Sequence, residues 1–410
     1  MNKRIGSSIP RIDASEKISG LAAFIADLRW DGMIYARTLR STEPRARIKA
    51  IEIPELPPDY FIVDRRDVPG KNRVKMPAND FPFFAEEVVN YIGEPILLVV
   101  GPEKEMISRI LSEISVQYEE LEPIYTLEQA ESGQVAPIYG ENNLFAEYSF
   151  SYGKPERLLD LKEHGSNLTI FTDEYRTGYQ EHVYLEPQGV VGLYADDRIT
   201  VYGSMQCPYY VKNALIEGFG WDEGRVRVVQ STTGGAFGGK EEFPSLIAGH
   251  VAFAAYKTQR PVQLVFDREE DILCTTKRHP SVVRFRTAVD QSRSIKAMSV
   301  DILLDGGAYA GLTSVVLQRA IFSAAGVYRI PAVKVHGRAF ATNTVPTGAC
   351  ASTVGGEISA IAAMLAIRAH LVLITSPPKV LRCVRSAHPP PHRAAAVSPS
   401  KRDELLSPEG

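Results

Sequence analysis

"QSTTGGAFGGKEE", residues 230–242, decides how the chain is read. Gly234, four residues and then Gly239-Lys240 reproduce most of a phosphate-binding loop, which next needs a Ser or Thr hydroxyl for a magnesium ion. Glu241 stands there instead, an anion where nucleotide phosphates and their metal would sit. The residues before the loop, "RVRVV", read as a strand, and "FPSLIAGHVAFAAYKT" after it reads as a helix. A strand that enters a glycine-rich turn ahead of a helix presents backbone N–H groups in a concave arc, which binds anions with or without a nucleotide. Glycines also admit a flat ligand to the backbone, and Phe237 adds an apolar face. A tight turn packed for close strand–helix contact has the same local pattern. Local chemistry alone leaves these readings open.

Outward from the loop, residues 168–350 form one unit. "LTIFTDEYRT", "RITVYGSMQ", "RPVQLVFDREED" and "SIKAMSVDILLD" have strand character, and "YYVKNALIEGFG" reads as a helix ending at glycine. "DREED" (267–271) reads as a solvated charged turn. Residues 1–135 read as a separate mixed unit, with strands in 32–41 and 94–101 and a helix in 103–115, where Met106, Ile107, Ile110, Leu111 and Ile114 recur at helical spacing. Residues 136–167 are expected to be a linker, polar with Gly and Pro toward its end. Residues 351–410 differ in kind: they hold no Phe, Tyr or Trp and seven prolines, including "HPPPH", and are expected to be a disordered tail apart from one short helix in "ISAIAAMLAI".

Bulk properties narrow the function classes. A chain of 410 residues with 44% hydrophobic and 23% charged content has the composition of a globular protein. A net charge of −3 provides no basic field for nucleic acid or acidic membranes. No uninterrupted apolar run reaches membrane-spanning length, and the start lacks the apolar core of a secretory signal. Cys207, Cys274, Cys350 and Cys383 are far apart, which argues against a zinc ribbon or iron–sulfur ligation within the chain and suits reduced thiols in the cytoplasm. His182 and His279 have no partner at ligand spacing and are expected to be structural.

"PRIDASEKISGLAAFIADLRWDGMIYARTLRSTEPRARI" and "YIGEPILLVV", followed in order by "QEHVYLEPQGVVG", "GSMQCPYYVKNAL", "GGAFGGKEE", "KRHP", "DGGAYA", "YRIP" and "TNTVPTGA", resemble the molybdopterin-binding subunit of the xanthine dehydrogenase/aldehyde oxidase family of molybdenum hydroxylases. The resemblance implies an α+β fold, with an N-terminal α/β-hammerhead domain followed by the first half of a molybdopterin-binding domain. It implies that the loop, through Gly235, Phe237 and Gly238, lies against the molybdenum cofactor, in its cytosine dinucleotide form. Gln206, 31 residues before Phe237, would hydrogen-bond beside the metal, a place that suits an uncharged donor. Glu241 matches a carboxylate that orients a purine-like heterocycle. Arg319 matches an arginine that stabilises charge building on that ring, a task suited to a permanently charged guanidinium. Gln318 stands where an acidic neighbour is expected.

The implied parent activity is therefore xanthine-type purine hydroxylation, with aldehydes or other N-heterocycles as alternative substrates and a non-catalytic docking fragment as the remaining alternative. Iron–sulfur and FAD-binding partner subunits would carry the electrons away. In the family, "TNT-x-P-x-GA" continues as Phe-Arg-Gly-Phe-Gly, and here Ala351 holds the arginine's position. A further cofactor domain and its glutamate general base are not recognised after residue 350. The expectation is a chain truncated by a change of reading frame and inactive alone, since a positioned base contributes about 10²–10⁴-fold.

Overall fold

A run as apolar as "PILLVVG" belongs in a sheet covered on both faces. In the computed structural model, which describes residues 6–160 and 167–350, Pro95–Gly101 is such a strand, and each of its residues is buried. It pairs antiparallel with Ile34–Arg40, which in turn pairs parallel with Val262–Val265. N-terminal strands thus join the second unit in one seven-stranded sheet. Its spatial order is Val226–Gln230, Arg198–Gly203, Gly189–Ala195, Val262–Val265, Ile34–Arg40, Pro95–Gly101, Phe61–Asp64. The boundary expected near residue 135 does not separate this sheet.

The Phe243–Thr258 helix packs on the sheet and is apolar on all sides, with every residue from Phe243 to Ala255 buried. It lies close because Gly192 has no side chain: a Cβ there would meet the Val251 carbonyl oxygen at 2.6 Å. A second, five-stranded sheet runs Leu144–Tyr152, Ala332–Phe340, Ile295–Asp305, Ser281–Asp290, Leu168–Thr177. The Thr313–Ser323 helix covers it, burying Val316, Leu317, Ala320 and Ile321 against Phe285, Met298 and Ile302. A three-stranded sheet of Val88–Val89, Ala46–Glu52 and Ser115–Glu120 shares a core with the Lys104–Glu113 helix through Ile107 and Ile110.

Two expectations need correcting. The stretch expected as a linker contributes Leu144–Tyr152, an edge strand paired antiparallel with Ala332–Phe340. Its partner is nearly two hundred residues away, so local composition carried no sign of it. "DREED" is not a turn but opens the Arg268–Cys274 helix, whose first turn is capped by Asp267 accepting from the Glu270 N–H at 2.8 Å. The tail expected after residue 350 and the apolar "ISAIAAMLAI" lie outside the described residues.

One topological fact positions the site. Arg198–Gly203 and Val226–Gln230 run parallel, with Gly203 opposite Gln230. Parallel strands end on the same side, and the crevice beyond their C-terminal ends is where open α/β sheets build ligand sites. Gln206 follows one strand and the glycine loop follows the other.

Candidate active site

The loop and Gln206 are joined directly. The Gln206 side-chain oxygen accepts from the Gly238 N–H at 2.9 Å, and the Gln206 N–H donates to the Lys240 carbonyl at 2.7 Å. With its oxygen so occupied, the exposed amide presents its NH₂ outward as a donor. Gly235 (φ +99°) and Gly238 (φ +103°) adopt backbone that other residues rarely tolerate, and Phe237 between them is left-handed at φ +53°. At Gly238 a Cβ would strike the Ala349 carbonyl oxygen at 2.5 Å. Phe237 is 58% exposed, an aromatic residue held on strained, left-handed backbone. Among the described residues the N–H groups of Gly235, Ala236 and Phe237 meet no protein acceptor, whereas those of Gly234, Gly238 and Gly239 do. Three successive unpaired N–H groups beside an exposed ring suit a flat ligand that carries anionic oxygens.

A support that sequence reasoning missed lies beneath the loop. From 182 to 188 alternate side chains point inward. His182 bonds the Ala349 carbonyl through Nε2 at 2.8 Å, and its ring lies under Gly239. Tyr184 packs against Gly235 and Gly239. Glu186 accepts from the Gly234 N–H at 2.8 Å and from Lys240 Nζ at 3.0 Å. Gln188 donates to the Gly239 carbonyl at 2.7 Å and to the Tyr184 hydroxyl at 2.9 Å. Lys240 is fully buried, so the lysine of the apparent phosphate-loop motif faces the protein interior. The outward residues, Val183 and Leu185, are 60% and 92% exposed and flank Tyr184, which packs against Gly235 of the loop.

Buried charge accompanies this support. Glu181 pairs with Lys277 at 2.6 Å. Burial pushes the Glu181 carboxyl up, but hydrogen bonds from His182 and Lys277 outweigh it and bring it to about 2. Burial pulls the His182 imidazole down, but hydrogen bonds to the Cys350 thiol, Glu181 and the Ala349 carbonyl prevail and raise it to about 9. Glu242 is 6% exposed, and neither carboxyl oxygen meets a donor at hydrogen-bonding geometry. Burial, and then the charge of Glu241, push it up to about 8, with the Ala349 N–H giving only partial relief. His279 is buried against the Thr313 hydroxyl at 3.0 Å, and among the described residues no three His, Cys, Asp or Glu side chains form a metal-holding group.

Glu241 is half-buried at the end of the loop, where its N–H donates to the Gly238 carbonyl at 3.1 Å. Arg319 is exposed on the Thr313–Ser323 helix and enters no salt bridge among the described residues. Both bear on Tyr210, whose hydroxyl is raised first by burial and then by the charges of Cys207, Glu241 and Glu242, with Arg319 opposing. Tyr210 and Cys207, one helical turn apart and both raised by burial and by the charges of Glu241 and Glu242, are groups that sequence reasoning did not assign.

Fold and loop together define a cradle for a flat, anionic cofactor at the C-terminal edge of an α/β sheet. Residues 138–367 match the molybdopterin cofactor-binding domain, and residues 19–122 match the a/b hammerhead domain of aldehyde oxidase and xanthine dehydrogenase. The chain belongs to the molybdenum hydroxylase family defined by these domains. It is 30% identical, over 84% of its length and 80% of the relative's, to the nicotinate dehydrogenase large molybdopterin subunit of Eubacterium barkeri. It is 32% identical to a probable xanthine dehydrogenase subunit of Bacillus subtilis, over 88% of this chain but 47% of that one. The quinoline 2-oxidoreductase of Pseudomonas putida 86 superposes with a TM-score of 0.80 at 25% identity, covering 90% of this chain and 49% of that chain. The chain therefore spans about half the length of the latter two and most of the first. Among the described residues no helix is long and apolar enough to cross a membrane.

Proposed function

We propose that this chain is the molybdopterin-binding part of a multi-subunit hydroxylase of electron-poor N-heterocycles, with purine oxidation as the parent activity. The observation that carries the substrate class is that an acidic and a basic group, Glu241 and an Arg319 that enters no salt bridge among the described residues, both bear on the Tyr210 hydroxyl. A carboxylate can accept from a ring N–H, and a guanidinium can take up charge that builds on the ring. When bound, the molybdenum cofactor supplies the oxidising centre and the oxygen transferred to carbon. The N–H groups of Gly235, Ala236 and Phe237 and the Phe237 ring would hold it, Gly238 would let the backbone turn close to it, and Gln206 would donate beside the metal through its side-chain NH₂. Glu241 orients the heterocycle and Arg319 steadies its developing negative charge.

A second reading has its own support. An exposed guanidinium without an ion pair among the described residues also suits a ring that bears a carboxylate, and one relative is a nicotinate dehydrogenase subunit. The two readings separate on a substrate panel of hypoxanthine, xanthine, nicotinate, quinoline and benzaldehyde, with the assembled enzyme and an artificial electron acceptor. Purines turned over best, with loss in Glu241→Ala, support the first. Nicotinate turned over best, with loss mainly in Arg319→Met, supports the second, and preference for benzaldehyde refutes both.

The remaining cofactor contacts and the general base are proposed to come from protein that covers the exposed apolar side chains of Val183, Leu185 and Phe237. Iron–sulfur and FAD-binding subunits would receive the electrons, and the pterin would be the cytosine dinucleotide form. On this reading the chain is inactive alone.

A further inference from the structure

The hydrogen bonds beneath the loop converge on one oxygen. Glu186 Oε2 accepts from the Gly234 N–H at 2.8 Å, from Lys240 Nζ at 3.0 Å and from the Ser204 hydroxyl at 2.6 Å. Gly234 and Lys240 are the two ends of the glycine loop, and Ser204 lies two residues before Gln206. Lys240 Nζ also donates to the Glu186 carbonyl at 2.7 Å and to Ser204 Oγ at 3.0 Å, which places its three N–H bonds on three acceptors. Its ammonium lies 4.7 Å from the centre of the Tyr184 ring, which itself packs against Gly235 and Gly239. At Gly234 a Cβ would meet the Glu186 Cβ at 2.5 Å, so only glycine lets the loop reach this carboxylate. Lys240 is fully buried and the Glu186 side chain is 14% exposed.

We infer that Glu186 and Lys240 are a positioning pair: one carboxylate ties both ends of the loop and the strand end that carries Gln206, and so fixes the outward pose of Phe237 and the unpaired N–H groups around it. The pair touches no ligand itself. Its bonds close the loop across its base, leaving the N–H groups of Gly235, Ala236 and Phe237 as the free arc among the described residues. A pair kept only for stability has a different signature, because a buried ion pair exchanged for two apolar side chains often leaves stability unchanged. Burial draws the Lys240 ammonium down from its ordinary value while Glu186 resists, as expected for a charge held by its partner in the interior.

The inference takes the loop to be the cofactor cradle, as proposed above, so its test carries a readout that needs no cofactor. The assembled complex is prepared with wild-type chain, with Lys240→Met, and with Glu186→Met and Lys240→Met together. Hydrogen–deuterium exchange of peptides covering 231–242, melting temperature and bound molybdenum are measured. Lys240→Met is expected to lower the melting temperature, raise loop exchange at least about tenfold and lose most molybdenum, because a buried carboxylate is left without its counter-ion. The double variant is expected to regain most of the melting temperature while loop exchange stays high and molybdenum stays low. Wild-type loop protection and molybdenum in the double variant would overturn the inference, as would a single variant that changes neither. If wild-type complex binds no molybdenum but the exchange pattern holds, the pair stands and the cofactor reading falls.

Discussion

Replacing Glu242 by glutamine tests the buried charge next to the loop without touching the loop's own contacts. The native carboxyl is pushed up to about 8 by burial and by Glu241, from an ordinary value of 4.5. Between those two values the folded chain keeps a proton that the unfolded chain has released. Stability contributed by this group is thus fully present below about pH 4.5 and is lost as pH rises toward 8. The slope is at most about 1.4 kcal/mol per pH unit, so the wild type loses a few kcal/mol across the interval. Glutamine mimics the neutral acid and has no such dependence. His182 also favours the fold less as pH rises from its ordinary 6.5 through about 9, but this loss is common to both proteins and largely cancels in their difference. Urea unfolding at pH 5, 6, 7 and 8 should show the glutamine variant gaining on the wild type by roughly 1 kcal/mol per unit. A difference that stays constant with pH, or shrinks as pH rises, would refute the reasoning that Glu242 is held neutral.

Three further substitutions separate folding from function. Gly238→Ala combines φ +103° with a Cβ 2.5 Å from the Ala349 carbonyl oxygen, and should cost about 1–3 kcal/mol in denaturant unfolding; a loss below about 0.5 kcal/mol would contradict the cradle's geometry. Gln206→Glu keeps an acceptor for the Gly238 N–H but removes the outward NH₂, so the melting temperature should hold while turnover of the assembled enzyme falls about 10²-fold or more; equal activity would remove Gln206 from the site. Arg319→Met removes an exposed guanidinium that makes no salt bridge among the described residues, so stability should be unchanged and kcat/KM for a heterocycle should drop about 10–100-fold, as read from steady-state kinetics.

Much of this site was legible because the glycine loop is a local signal: strand, glycines and helix are contiguous, and Gln206 closes the adjacent parallel strand. The support beneath was not legible, although its residues are also contiguous. In "HVYLEPQ" the polar His182, Glu186 and Gln188 point inward, while apolar Val183 and Leu185 point out. Residues 182–188 lie outside the strands and helices, so neither period in the sequence assigns their faces. The seven-stranded sheet was hidden for another reason. Ile34 pairs with Val262 across more than two hundred residues, and no composition shift announces a strand shared between two units. The Arg268–Cys274 helix was masked by its acidic first turn, which marks a helix N-terminus as readily as a charged loop.

The central claim is that the arc around Phe237, facing Gln206, seats a molybdenum cofactor. Its most direct test is molybdenum per chain by mass spectrometry in the assembled complex, for wild type and Gly238→Ala purified side by side. About one atom per chain in the wild type, with most of it absent from the variant while the complex stays assembled, is expected. A fully assembled wild-type complex without molybdenum, or a Gly238→Ala complex that holds as much as the wild type, would contradict it.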